Sequence, residues 1–392
     1  MTTGPGPDPI YLDHAATAPV RAEVLEAMLP FFGARFGNPS STHRWGREAR
    51  VALDEARDRV AAALGARADE ICFTSCGTEG DNMAVLGAWH ARRLSGRNAV
   101  VASTIEHKAV LGAIHSAARE GAIERLLPVT TEGLVDPGVA GEMIRDDVAV
   151  CSVMWVNNET GVIQPMADLA ERAKAVGAVF HTDAVQAFGK LDVDAARQPY
   201  DLLTISGHKI GAPKGIGALF IRRGTKLEPL MHGGAQDRGR RPGTENVAFA
   251  VGLAEAMALA AAEREHECAR LQALRNELEV AIRERIPDAV FHGGDAERAP
   301  HIVNVSVPGA DSEALLMGLD LKGIAASGGS ACQSGSVGPS HVLEAMGVPP
   351  ELARCAVRFS LGPLSGKDLV ERTATALASV AARARAVAGV LS

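Results

Sequence analysis

Short apolar runs alternate with amphipathic segments along the first two thirds of the chain. The apolar runs end in polar residues, whereas the segments between them carry apolar positions at helical spacing. Seven runs read as strands: EICFT, NAVVAS, IERLLPV, DDVAVCSVMW, AVFHTD, DLLTIS and GALFIRR. Helical spacing is clearest in RAEVLEAMLPFF, REARVALDEARDRVAAALG, KAVLGAIHSAAREG and MADLAERAKAVG. This alternation predicts βα units and an α/β fold with a mostly parallel seven-stranded sheet.

The pattern changes after about residue 245. A buried helical stretch and the charged stretch EREHECARLQALRNELEVAIRERI lead into shorter strand-like runs, among them HIVNVSV and AVRFSLG. We therefore expect a large domain over residues 16–260, and a smaller α+β domain built from residues 1–15 and 261–392. A chain of 392 residues is long enough for two domains.

Composition narrows the functional classes only slightly. Hydrophobic residues make up 47% and charged residues 22%, and the net charge of −7 argues against a broad nucleic-acid-binding surface. The six cysteines form no C-x-x-C pair, so we expect no structural zinc or other metal site. The N-terminus lacks a secretory pattern, and the longest apolar run is interrupted by Glu255. We expect a cytoplasmic protein without a membrane span.

Polar residues follow almost every predicted strand of the large domain. Ligands of parallel α/β sheets bind at the carboxyl ends of the strands, so these residues should outline a site. They are Thr78, His107, Asn158, Asp183, Gln186, Ser206, His208 and Lys209.

Lys209 and Asp183 indicate the chemistry of that site. A lysine in a Gly-rich turn is usually a solvated charge, but beside an apolar pocket its pKa falls and it can attack a carbonyl group. Asp183 ends another strand, where it could cap a helix or pair with a pyridinium nitrogen.

Three further residues could hold a phosphate group. Thr78 opens a helix after a Gly-containing turn, where it and Asp81 could instead be simple caps. Ser206 and His208 could donate to the same phosphate, and His107 could stack on a flat ring, move protons or be structural. Together these residues indicate a pocket for a phosphorylated, pyridine-like cofactor held by a lysine.

Several motifs carry a resemblance to a known family. They include YLDHAATAPV, FGNPSSTHRWGREAR, FTSCGTEGDN, EHKAVL, VNNETGVIQP, HTDAVQAFGKLDVD, SGHKIGAPKGIGALFIRR, MHGGAQDRGRRPGTENV, SGGSACQSGSVGPSHVL and VRFSLG. From Tyr11 to about Gly362 the chain resembles the pyridoxal-phosphate-dependent cysteine desulfurases of the class V aminotransferase family. SGHK with HTDAVQ is typical of class V, and the cysteine loop followed by VRFSLG is typical of the desulfurases.

The resemblance implies a fold type I transferase with pyridoxal 5'-phosphate bound to Lys209. It implies that Asp183 pairs with the ring nitrogen and that His107 stacks on the ring and helps to move protons. Gln186 and Asn158 would contact the ring hydroxyl or the substrate. The implied phosphate ligands are Gly77, Thr78, Ser206 and His208, with Thr244 reaching the phosphate of a partner subunit in a homodimer.

The resemblance also implies the substrate and its sulfur chemistry. Arg358 would bind the carboxylate of L-cysteine, although a domain-interface ion pair is an alternative role. Cys332 would take the sulfur as a persulfide, release L-alanine and pass the sulfur to an acceptor such as an iron–sulfur scaffold protein, or into tRNA thiolation. We expect its loop, of the long type, to be poorly ordered at rest. We expect a second thiol, Cys76, to be buried and inert.

Three other functions stay open on the sequence. A selenocysteine lyase or an aminotransferase would share the fold and the lysine, and a catalytically silent sulfur-carrier platform would share the fold alone. An aminotransferase would have no use for Cys332, and a silent platform is expected to have lost Lys209 or Cys332. Both residues are present in the chain.

Overall fold

The structure, a computed structural model, describes residues 8–328 and 339–391. The strands are β1 Ile10–Tyr11, β2 Ile71–Thr74, β3 Ala99–Ser103, β4 Ile123–Leu127, β5 Val148–Ser152, β6 Val179–Asp183, β7 Leu202–Ser206, β8 Gly217–Ile221, β9 Val290–Phe291, β10 Ile302–Ser306, β11 Ile324–Ala325 and β12 Ala356–Ser360. The helices are α1 Ala22–Met28, α2 Arg44–Ala63, α3 Gly77–Arg92, α4 Lys108–Arg119, α5 Pro137–Met143, α6 Met166–Ala175, α7 Val247–Arg285, α8 Ser312–Asp320, α9 His341–Ala345, α10 Pro350–Ala353 and α11 Leu369–Leu391.

Seven strands form the large sheet in the order β2-β8-β7-β6-β5-β3-β4. Strands β4, β3, β5, β6 and β7 run parallel, whereas β8 runs antiparallel to both β7 and β2. The predicted α/β fold with a mostly parallel seven-stranded sheet is confirmed. Every residue of β3, β5, β6, β7 and β8 is buried, which explains why β3, β5 and β8 read as mainly apolar runs, although β6 also buries His181 and Thr182.

The strand order reverses between β3 and β5. From β3 the chain first moves outward to β4, and then returns to the other side of β3 to form β5. The loops that follow β3 and β5 therefore diverge and leave a crevice at the carboxyl edge of the sheet. This crevice is where the polar residues predicted from the sequence meet.

A second, smaller layer contains an antiparallel sheet in the order β12-β10-β9 and a parallel pair, β1 with β11. Its core packs residues such as Leu278, Val305, Phe359 and Leu377 from α7, the sheet and α11. The N-terminal strand joins this layer because Ile10 pairs with Ile324.

One 39-residue helix, α7, connects the two layers. Leu253 and Met257 pack in the core beside the large sheet, whereas Leu271 and Leu278 pack in the smaller core. The two helical stretches seen in the sequence thus form one continuous helix, and the proposed domain boundary after residue 260 falls inside it. The division into two domains stays a prediction. Within residues 8–328 and 339–391, no helix is both long and apolar enough to cross a membrane.

Candidate active site

A cavity of about 340 Å³ opens at the carboxyl edge of the parallel strands. Ten of the residues predicted for the site line it: Gly77, Thr78, His107, Asn158, Asp183, Gln186, Ser206, His208, Lys209 and Arg358. Thr244 does not line this cavity and lies instead in a separate depression of about 160 Å³ near Thr74 and Ser75. Cys332 lies outside the described residues, and so does the expectation about the order of its loop.

Lys209 is positioned by the strand that precedes it. Strand β7 ends at Ser206, and a single 3₁₀ turn, Gly207–Lys209, brings the lysine to the cavity. Its Nζ donates to the carbonyl oxygens of Ala15 and Ala16, each at 2.7 Å. The amine is thus held at the cavity wall by the segment that follows the N-terminal strand.

Two buried carboxyl groups lie opposite a histidine in this cavity. One carboxylate oxygen of Asp81, one carboxylate oxygen of Asp183 and one ring nitrogen of His107 all lie within 4.8 Å of one another. Burial raises the pKa of Asp183, while the nearby His107 and Lys209 act in the opposite direction. Burial and the neighbouring Asp183 carboxyl raise the pKa of Asp81 well above its usual range. A protonated ring nitrogen placed here would stabilise the Asp183 carboxylate, so the pair fits a pyridinium partner.

His107 has a defined orientation. It caps the N-terminus of α4, and its Nδ1 accepts a hydrogen bond from the Ala109 N–H at 3.1 Å. In the neutral ring the proton therefore sits on Nε2.

The N-terminus of α3 forms an anion cradle. Cys76 occupies the N-cap position of α3 and makes no side-chain cap bond. Thr78 and Asp81 lie inside the helix, so neither is the cap that the sequence allowed. Glu79 turns away and accepts from the Ser75 N–H at 2.6 Å, while it pairs with Arg241 at 2.9 Å. The backbone N–H groups in the first turn of α3 thus carry partial positive charge and can donate hydrogen bonds to a phosphate.

Gly77 and His208 complete the cradle. A Cβ atom on Gly77 would lie 3.1 Å from the Val185 side chain and 3.4 Å from that of Ser206, so glycine keeps this approach open. Burial and the nearby Lys209 and Lys214 lower the pKa of His208 to about 4, which leaves its ring neutral. Its Nδ1 lies 3.1 Å from the Thr17 hydroxyl.

Arg358 is almost fully buried, with 2% of its side chain exposed. Its Nη1 donates to the Asn158 carbonyl oxygen and its Nη2 to Asp13 Oδ1, both at 2.8 Å. Its Nε has no hydrogen-bond partner among the described residues. Arg358 therefore makes the ion pair that the sequence allowed as an alternative, and it also lines the cavity.

The site and its immediate surroundings include residues that the sequence analysis missed or misjudged. Asp13 was not predicted, and nothing local in the sequence could have paired it with an arginine 345 positions away. Asp81 was read only as a possible cap, yet it is 1% exposed and lines the cavity. The expectation that Cys76 is buried was wrong, because a residue at the N-cap of α3 sits at the cavity edge and is only half-buried.

The described residues that flank positions 329–338 are hydrogen-bonded to residues that line this cavity, or line it themselves. Ser327 exchanges backbone hydrogen bonds with Arg358, at 3.1 and 2.7 Å. On the other side, the Ser340 hydroxyl donates to the Glu159 carboxylate, and His341 lines the cavity with its Nε2 3.0 Å from the Glu106 carbonyl oxygen.

The strand order, the helix N-terminus at the sheet edge and the lysine opposite a buried aspartate define a fold type I transferase, the class that uses pyridoxal phosphate. The chain belongs to the Aminotransferase class-V family, whose sequence model matches residues 10–372.

Curated relatives and solved structures agree with this assignment. Cysteine desulfurase IscS of Dictyoglomus turgidum is 44% identical over 378 residues, which covers 96% of each chain. Cysteine desulfurase NifS of Azotobacter vinelandii is 44% identical over 379 residues, covering 96% of this chain and 94% of that protein. Among solved structures, a NifS-like protein superposes with a TM-score of 0.89 at 32% identity, covering 96% of this chain and all of the other. A NifS-like protein from Rickettsia africae superposes with a TM-score of 0.85 at 32% identity, covering 95% and 99% of the two chains.

Proposed function

We propose that this protein is a cysteine desulfurase that uses pyridoxal 5'-phosphate to convert L-cysteine to L-alanine. The observation that carries the proposal is one cavity that unites Lys209, Asp183, His107 and Arg358 in a chain 44% identical to proteins named cysteine desulfurase. The reaction balances without an external oxidant: the substrate C–S bond breaks, an S–S bond forms on the Cys332 thiol, and the released carbon skeleton is alanine.

The cofactor, when bound, supplies an electron sink for the carbon skeleton of the substrate. The residues of the cavity do the rest. Arg358 binds the substrate carboxylate, and the Lys209 amine takes and returns the proton at the substrate α-carbon. Asp183 keeps a proton on the ring nitrogen, and His107, with its Nε2–H, stacks on the ring and moves protons near the leaving sulfur.

Phosphate binding is assigned to the cradle at α3. Its ligands are the first-turn N–H groups, at Gly77 and Thr78, with Ser206 and neutral His208 from the end of β7. Gln186 and Asn158 contact the ring hydroxyl or the substrate.

Cys332 is assigned as the sulfur-accepting nucleophile. Ser327, next to Gly328, is hydrogen-bonded to the backbone of Arg358, which lines the cavity. The segment that carries Cys332 thus follows a residue bonded to the proposed carboxylate-binding arginine, which supports the assignment. The sulfur then passes to an acceptor, for which an iron–sulfur scaffold protein or a tRNA-thiolation partner fits the function.

A homodimer would complete the site. Large apolar side chains are exposed around α1 and the start of α2, with Leu29, Phe32, Phe36 and Trp45 each more than half exposed. A cluster of this kind is typical of a subunit interface. Thr244 lies outside the cavity of its own chain, which suits a role at the phosphate of a partner subunit.

Mixed dimers test the role of Thr244. A dimer of one Lys209→Ala protomer and one Thr244→Val protomer contains one fully native site if Thr244 acts across the interface. Such dimers should bind pyridoxal phosphate with native affinity at half occupancy. Weakened binding at every site would show that Thr244 acts within its own chain.

A cytoplasmic location stays a prediction.

The thiols of Cys332 and Cys76 allow a matched test of the function. With a thiol reductant present to release the persulfide sulfur as sulfide, Cys332→Ala should abolish sulfide release and turnover of L-cysteine to alanine, whereas Cys76→Ala keeps the proposed nucleophile and should turn over. Undiminished alanine formation by Cys332→Ala would refute the role of that thiol. Lys209→Ala should lose the visible absorbance of the lysine-bound cofactor, and a retained band would refute the lysine assignment. Alanine formation that requires a 2-oxo acid would indicate an aminotransferase instead.

A further inference from the structure

A buried histidine from the smaller layer contacts the floor of the catalytic cavity. His301 immediately precedes β10, and only 2% of it is exposed. Its Nε2 lies 3.2 Å from Oε1 of Gln186. Gln186 is 7% exposed and lines the cavity, so His301 touches a cofactor-site residue from behind.

The orientation of the Gln186 amide follows from its other neighbour. Its Nε2 lies 2.9 Å from the carbonyl oxygen of Ala15. A carbonyl oxygen can only accept, so the amide nitrogen must face it and the amide oxygen must face His301. The Ala15 oxygen also accepts from Lys209 at 2.7 Å, which places the amide beside the catalytic lysine.

His301 must then donate its proton to Gln186. Burial, together with Lys190, His14, Arg358 and Arg275, lowers the pKa of His301 well below its usual range, so the ring is neutral and carries one N–H. Its Nδ1 has no hydrogen-bond partner among the described residues. A proton on Nδ1 would leave the Nε2 lone pair facing the Gln186 oxygen, which is repulsive.

We propose that His301 is a positioning residue for Gln186: its Nε2–H holds the amide oxygen and so keeps an amide N–H turned toward the catalytic cavity. One N–H of the amide goes to Ala15, and the second is left for the cofactor ring oxygen or the substrate. This inference rests on the proposed function, because it assigns that second N–H to the bound cofactor.

The electrostatic consequence has a definite sign. An N–H facing the ring oxygen stabilises negative charge there, whereas a carbonyl oxygen in the same place opposes it. Loss of the His301 proton donor would therefore disfavour the deprotonated form of the lysine-bound cofactor. The pH midpoint of the visible absorbance band should rise.

Two variants of equal size separate the hydrogen bond from packing. His301→Gln can place an amide donor near the position of Nε2, whereas His301→Met fills similar space without a donor. We expect His301→Met to raise the midpoint by about one pH unit, the tenfold effect of one hydrogen bond, and His301→Gln to restore it. Equal midpoints for both variants and the wild type would overturn the proposal.

A second background tests whether the effect passes through Gln186. In a Gln186→Met protein the His301→Met substitution should no longer move the midpoint, because the group it orients is gone. An undiminished shift in that background would show that His301 acts by another route.

The tautomer can be measured without any reaction. Long-range ¹H–¹⁵N spectra of histidine-labelled holoenzyme, assigned with His301→Gln, should show His301 neutral with its proton on Nε2. A proton on Nδ1 or on both nitrogens would overturn the proposal. If the wild-type protein binds the cofactor and forms alanine but the His301 measurements contradict the proposal, the proposed function still stands. Absence of the visible band in the wild type would instead count against the proposed function.

Discussion

Arg358 permits the sharpest test of how substrate is held. Two of its five N–H groups bond to Asn158 and Asp13, and its Nε is buried, so one N–H on each Nη is left for a ligand. A substrate carboxylate can take both as charge-assisted hydrogen bonds. Arg358→Gln removes the charge and most of these donors, whereas Arg358→Lys keeps the charge but loses the paired geometry.

The expected magnitude follows from those two bonds. A hydrogen bond to a charged group contributes about 1.5 kcal/mol or more, so two contribute about 3 kcal/mol. Arg358→Gln should therefore weaken cysteine binding by about 150-fold. Arg358→Lys retains one point contact and should weaken it by about tenfold.

Binding can be followed through the change in the cofactor's visible spectrum, with cysteine compared against cysteamine. Cysteamine has the same amine and thiol but no carboxylate, so its affinity should change less than about threefold in either variant. Arg275→Lys, at a buried arginine outside the cavity, should leave the cysteine-to-cysteamine ratio unchanged. An equal loss for both amines in Arg358→Gln would refute the carboxylate role and leave Arg358 with the ion pair to Asp13 alone.

Two predictions concern stability rather than substrate. Glu106 is fully buried, and burial raises its pKa from 4.5 to about 8, although Ser103 and the Met154 N–H donate to it. The folded protein thus keeps a proton that the unfolded chain releases, so the free energy of unfolding should fall as the pH rises from 4.5 to 8. Denaturant titrations of Glu106→Gln should show a flatter profile over that window, and an identical slope would contradict the assignment. Asp237 forms a buried ion pair with Arg57 at 2.6 Å and accepts from the Phe73 N–H at 3.1 Å. Asp237→Ala should cost about 3 kcal/mol in urea unfolding because it strands the arginine, Asp237→Asn should cost less because it keeps the acceptor, and equal losses would argue against the backbone contact.

Much of the large sheet could be predicted because most of its strands are buried on both faces. Burial makes most of these strands mainly apolar, as in LLTIS of β7, and the polar residue that ends the run marks the sheet edge. Since parallel strands end at the same edge, the sequence alone was enough to assign Lys209 and Asp183 to one site. Their chemical roles, like that of Cys332, stay predictions.

Contacts between distant parts of the chain could not be predicted in the same way. Asp13 meets Arg358 only because β12 places Ser360 beside Asp13, and His301 reaches Gln186 only because β10 starts behind the cavity. Asp81 and Cys76 were misjudged for a related reason: which face of α3 looks inward depends on how its first turn meets β7, not on the local sequence.

The continuity of α7 has a consequence for how this protein unfolds. A 39-residue helix extends about 58 Å, and its two halves are buried in different cores. If either core melts, half of α7 loses the side chains it packs against, and the other half then frays. The two layers should therefore lose structure in one cooperative transition, with calorimetric and van't Hoff enthalpies that agree, rather than in two separate steps.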